Sequence, residues 1–180
     1  AIAQYVSRWG NRILKVKEAS QGLVGKFSGA VGAYNASSLF FDDPEDFEKE
    51  LLESLGLRPA DISTQIVPPE PQVDFFHSIV SSFGVLANFA RDMRNLQRSE
   101  IGEVGEPYEA EQVGSSTMPQ KRNPLNFENV ESAWKRVLPQ MVTIYLDQVS
   151  EHQRDLTNSL SQRYLPELIV LFDSSIRRIT

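Results

Sequence analysis

The 180-residue chain has no cysteine, which removes disulfide frameworks, thiolate zinc sites and cysteine nucleophiles together. It has no run of about 18 consecutive apolar residues, and Ala1 to Gly10 lacks the charged-then-apolar order of a signal peptide. No membrane partner is expected, and the expected location is cytoplasmic. Positive charge is in deficit as well: 18 Lys and Arg against 24 Asp and Glu give a formal charge of -6. The overall field argues against nucleic acid as a partner, so an anionic ligand must meet a local cluster of cations. What the chain does have is 41% hydrophobic residues, enough for one folded domain that buries roughly 70% of its unfolded surface. It begins without methionine and stops at Thr180 inside an apolar-periodic run, so it is expected to be part of something longer.

The apolar residues recur at helical spacing. Ile2, Val6, Trp9, Ile13 and Val16 step by three and four, which predicts one helix face before Gly22. The segment GKFSGAVGAYNASS, with Gly25, Gly29 and Gly32, reads as a tight loop. DDPEDFEKELLESLG predicts a short helix with Pro44 in its first turn and Gly56 as its stop. Val73, Phe76, Val80, Phe83, Ala87, Ala90 and Met93 then predict a helix of about 40 Å, from Gln72 towards Gly102. A second long helix is expected from Leu125 through Ile144, and a third from near Leu156, with kinks at Pro139 and Pro166. No strand stands out. The fold class is all-α, a bundle of long helices.

Between the first two long helices lies GSSTMPQKRNP, Gly114 to Pro124. Asn123 and Pro124 read as an N-cap and first helical residue, with Glu128 in the first turn where a carboxylate is favoured. That leaves a glycine, two hydroxyls and the adjacent Lys121 and Arg122 unexplained. A serine serves as a base only where cations, backbone N–H groups and water exclusion stabilise its alkoxide. On spacing alone the segment reads as well for a connector as for a catalytic loop. Arg154, Ser159 and Arg163 present a similar choice. Lone arginines on helices are usually solvated, yet a cation at the start of a helix is disfavoured unless an anion is present, and Ser159 and Arg163 are one turn apart.

GSSTMPQKRNP resembles, position by position, the GSSxMPxKxNP signature of the fumarase/aspartase superfamily. Within it, GKFSGAVGAYNA, TQI, FARDMRNLQRSEIGEV and HQRDLTNS, in that order, resemble the branch that splits adenylosuccinate, and related succinylated imidazole ribotides, into fumarate and an amine-bearing nucleotide. The resemblance covers nearly all 180 residues and implies part of the central helical domain, with upstream and downstream domains absent. It also implies a homotetramer with active sites shared between subunits, and no metal or organic cofactor. By the same resemblance Ser115 is the catalytic base and Ser116 its neighbour. Lys121 and Asn123 hold the substrate carboxylate, Glu128 orients a general-acid histidine, and Gln65 contacts substrate. Arg154, Ser159 and Arg163 grip the nucleotide phosphate.

There are departures. The superfamily's general acid lies in an upstream Thr-His pair, whereas His77 and His152 match neither that motif nor its position. The VPPEP after Gln65 replaces an Arg-Asp found in many relatives. Two other readings stand beside the first. One is a superfamily cycloisomerase acting on carboxymuconate, which shares KRNP without needing a phosphate grip. The other is a helical oligomerisation module that has lost its chemistry.

Overall fold

The computed structural model describes residues 2–107, 114–118 and 120–180, so Pro119 of the signature segment lies outside the described residues. Its helices are α1 (Ile2–Gln21), α2 (Pro44–Ser54), α3 (Glu70–Leu96), α4 (Leu125–Val137), α5 (Gln140–Leu146) and α6 (Ser161–Ile179). Two parallel two-residue strands, β1 (Val24–Gly25) and β2 (Arg58–Pro59), correct the expectation of no strand. Their two residue pairs tie the start of the glycine-rich loop to the segment just after α2.

The axis of the molecule is α3. All seven of its residues expected to face the core are buried, and Phe83, Leu86 and Ala90 are at most 1% exposed. Among the described residues α3 is also the one helix long and apolar enough to cross a membrane, but 61% of its most apolar window is buried inside the protein, the profile of a core helix. Helix α1 runs antiparallel to it, fastened by Tyr5 Oη to Asp92 (2.5 Å), Arg8 to Asn88 (2.8 Å) and Arg12 to Ser81 (3.0 Å). Burial and the neighbouring Asp92 carboxylate both push the Tyr5 phenol pKa up. Helix α4 is also antiparallel to α3, and its Trp134 ring lies against Gly84, where a Cβ would sit 3.3 Å from the indole. Helix α6 runs parallel to α3, pairing Phe172 with Phe83 at 5.4 Å between ring centroids.

Several boundaries differ from the sequence expectation, each for a local reason. α3 stops at Leu96, six residues before Gly102. Arg98 O accepts from Gly102 N, Leu96 O accepts from Glu103 N, and Gly102 adopts φ +63°, which closes the end. The second long helix is two. Pro139 cannot donate to the ladder, so α4 ends at Val137 and α5 restarts at Gln140. Pro166, by contrast, stays inside α6. The third helix begins at Ser161, not near Leu156. Asp155 accepts from the backbone N–H groups of Glu151 and Thr157, and Asn158 donates to Asp147 O, side-chain bonds that compete with helix formation. On α1 the buried residue is Tyr5, while Ile2, Val6 and Ile13 are more than 60% exposed.

The glycine-rich loop is packed against the segment before α3. Lys26 Nζ donates to the carbonyls of Gly29 (2.6 Å), Thr64 and Gln65 (3.0 Å), and burial pulls its pKa down. The buried Glu48 accepts from Phe27 N and from Tyr34 Oη, whose pKa that bond pushes up to about 12. Gly32 has φ +75°, and a Cβ there would fall 2.0 Å from Ser63 O, so only glycine fits.

Candidate active site

Where α3 ends and α4 begins, two sets of cations converge. Arg91 and Arg94 lie one turn apart on α3, where the helix C-terminus favours positive charge, and Arg98 follows in the turn just past its end. Lys121 and Arg122 come from the signature loop. Together they line an open cleft of about 900 Å3, five cationic side chains against the carboxylates Glu100 and Glu131. This is the local positive cluster that an anionic ligand needs in a chain of charge -6. The three arginines were not singled out from the sequence, although their spacing within FARDMRNLQR was the available signal.

Ser115 sits half-buried in the loop, and its Oγ accepts hydrogen bonds from the backbone N–H groups of Thr117 (3.2 Å) and Met118 (3.1 Å). Donors aimed at that oxygen favour its negatively charged form over the neutral one. Ser116 is exposed beside it. Lys121 N donates to Met118 O at 3.0 Å, closing a turn that sets Lys121 on the cleft wall with Met118.

Asn123 is not the N-cap. The residue flanking α4 is Pro124, and the Asn123 amide instead donates to Gly114 O at 2.7 Å, fastening the loop's two ends. The capping group comes from elsewhere: Glu106 accepts from Asn126 N at 3.1 Å and Phe127 N at 2.9 Å. One long side chain thus satisfies two orphan amides and places a carboxylate at the positive end of the helix dipole, whereas Asn123 would satisfy one. Glu106→Ala is expected to lower stability by about 1–2 kcal/mol, read as a reduced denaturation midpoint at constant slope. A wild-type midpoint would discard the cap.

Glu128, in the first turn of α4, lies 3.6 Å from Arg94 Nη2. One turn on, Glu131 is buried and accepts from Arg94 Nη1 at 2.6 Å and Arg91 Nη2 at 3.1 Å. Burial pushes its pKa up, but the two guanidiniums outweigh that and hold it below the ordinary carboxylate value.

The remaining candidates are elsewhere. Gln65 and Arg154 line a second cleft of about 410 Å3 with Lys26, Asp147, Asn158 and Gln162, and Thr64 Oγ1 donates to Gln153 O at 3.0 Å across its rim. Arg154 sits in the irregular segment before α6, not at a helix start. Ser159 lies in the turn that leads into α6, and Arg163 alone occupies the first turn of α6, so the two do not share a helix face as the spacing implied. His77 is exposed on α3 with Nδ1 2.7 Å from Tyr145 Oη, and His152 is exposed before Arg154. Pro69, Gln72 and Val73, at the start of α3, line the second cleft, whereas the first lies at its other end. A 27-residue helix spans about 40 Å, so one chain does not bring both sets to one small molecule.

The family model described as Lyase matches residues 1–138. Adenylosuccinate lyase of Pyrococcus abyssi is 40% identical over 175 residues, covering 96% of this chain and 37% of that protein. The enzyme of Archaeoglobus fulgidus is 38% identical over 178 residues, covering 98% and 39%, and that of Bacillus subtilis 34% over 168 residues, covering 92% and 38%. The chain thus spans under two-fifths of the length of these curated relatives. Among solved structures, 3-carboxy-cis,cis-muconate lactonizing enzyme from Pseudomonas putida superposes with a TM-score of 0.77 at 28% identity, over 93% of this chain and 37% of that one. An intact signature loop, a helical bundle built on α3 and a family match across more than three-quarters of its residues agree: this chain belongs to the lyase family of the fumarase/aspartase superfamily.

Proposed function

We propose that this chain is the central helical part of a carbon–nitrogen lyase that releases fumarate from adenylosuccinate, and from the succinylated imidazole ribotide of the same chemistry. The observation that carries the reading is Ser115 Oγ, held by two backbone N–H groups in the loop that forms one wall of a cationic cleft. In the ionised form it removes a proton from the succinyl carbon adjacent to the one bearing nitrogen. That C–H electron pair becomes the new C=C bond as the C–N bond breaks, and the leaving amine takes its proton from a general acid. Lys121 and Asn123 hold the neighbouring carboxylate and stabilise the dianion that develops on it. His77 is occupied with Tyr145 in the first third of α3 and His152 is near the second cleft, so neither supports a role as that acid. The proton comes from a residue outside this chain, oriented by Glu128.

The separation of the two clefts supports assembly. With proton abstraction at one end of α3 and Gln65, Arg154, Ser159 and Arg163 away from it, a complete site needs more than one copy. The exposed apolar residues Ile2, Val6, Ile13, Val142, Leu146 and Val170 supply surface for such contacts, and a homotetramer is the proposed state. A full-length protein carrying this chain is expected to release fumarate from adenylosuccinate, followed by the change in ultraviolet absorbance. Light scattering of the 180-residue chain is expected to give a mass well above 20.3 kDa, without fumarate release. A folded full-length protein that leaves adenylosuccinate intact would refute the activity, and a strictly monomeric chain the assembly.

A further inference from the structure

Glu131 has no part in the reaction just described, yet it is a buried carboxylate, 5% exposed, in the wall of the cationic cleft. Burying a charge costs several kcal/mol unless it is closely paired, so its partners and their geometry carry the information. Its oxygens are divided unequally. Oε2 takes both Nε (3.2 Å) and Nη2 (3.1 Å) of Arg91, whereas Oε1 takes only Nη1 of Arg94, at 2.6 Å. The other terminal nitrogen of Arg94 is thereby left to meet Glu128 at 3.6 Å. Glu128 and Glu131 are three residues apart on one face of α4, where two carboxylates repel unless a cation stands between them. Arg94 is that cation, and the tighter, drier contact is the one to Glu131.

Resting on the reading in which Glu128 orients the general acid, we infer that Glu131 is a positioning residue. It clamps Arg94 from within the protein so that the guanidinium fixes the position of the Glu128 carboxylate. A clamp that only joined α3 to α4 would show in stability and in KM and kcat together. A positioning role falls on kcat alone, since Lys121 and Asn123 are untouched.

The test is steady-state fumarate release by a full-length protein carrying this chain. Absence of wild-type turnover would sink the lyase reading, and this inference with it. Given turnover, Glu131→Gln is expected to lower kcat about 10- to 100-fold at unchanged KM, the scale of a misplaced catalytic group. The same substitution made in an Arg94→Met background is expected to add nothing, because it acts through Arg94. Unchanged kcat, a parallel rise in KM, or additive losses in the double variant overturn the inference. Should Glu131→Gln fail to fold, Arg94→Lys decides. It keeps the charge but not the fork that reaches both carboxylates, so kcat falls at constant KM, and wild-type kcat in Arg94→Lys overturns the proposal.

Discussion

Ser115→Ala, in a full-length protein carrying this chain, is expected to lower kcat by about 10²- to 10⁴-fold, the usual contribution of a positioned general base, with KM changed little. The separation has a structural basis. Ser115 Oγ accepts from Thr117 N and Met118 N, so alanine removes the proton acceptor, while Asn123 still joins the loop's ends through Gly114 O and Lys121 still turns back on Met118 O. Ser116 is exposed and Ser116→Ala is expected to be milder. A weakened KM with near wild-type kcat would mean that Ser115 binds rather than abstracts. Near wild-type values of both would remove it from the chemistry.

The fold was legible wherever a single face carried the signal. Every α3 residue picked from period alone is buried, and Pro44 and Gly56 bracket α2 as read, with Asp43 capping it and Gly56 at φ +73°. What was not legible depends on groups distant in sequence. Asn123 looked like a cap because asparagine before proline usually is one, and nothing local announces that Glu106, some twenty residues earlier, reaches the Asn126 and Phe127 amides. The start of the third helix failed for a related reason. The apolar period continues through Leu156 and Leu160, but Asp155 and Asn158 tie the backbone into turns first. Exposed Ile2, Val6 and Ile13 show the limit of period itself, which marks an apolar face without saying which surface covers it.

Of the candidate site, the signature loop was legible in the sequence and its surroundings were not. Of the loop candidates Lys121 lines the cleft at the ends of α3 and α4, Asn123 ties back to Gly114 O, and Glu128 faces Arg94. The cations that make this end a cleft were hidden, Arg91 and Arg94 as the polar face of a core helix and Arg98 in the turn after it. Gln65 and Arg154, 89 residues apart in the chain, share a pocket that no spacing rule connects. Their meeting depends on Lys26 and the glycine-rich loop packing against 64–65.

Arg154 and Arg163 provide the second large effect and the test of substrate class. Leucine at either is expected to weaken adenylosuccinate binding by about 1.5–3 kcal/mol, the worth of a hydrogen bond to a charged group, or roughly 10- to 150-fold. Both together should cost about 10³-fold, somewhat less than the product if the two hold one phosphate. The structural case differs for each. Arg154 borders the Gln65 cleft, adjoining Asp155, a carboxylate held below its ordinary pKa by hydrogen bonds from Thr157 and then Glu151. Arg163 stands in the first turn of α6, where the helix dipole opposes a cation and a bound phosphate would relieve that opposition. A phosphate-free succinyl compound should be nearly indifferent to both substitutions. The same indifference with adenylosuccinate would remove the nucleotide from the reading and favour a cycloisomerase, whose substrate offers carboxylates for Lys121 to hold and no phosphate for Arg154.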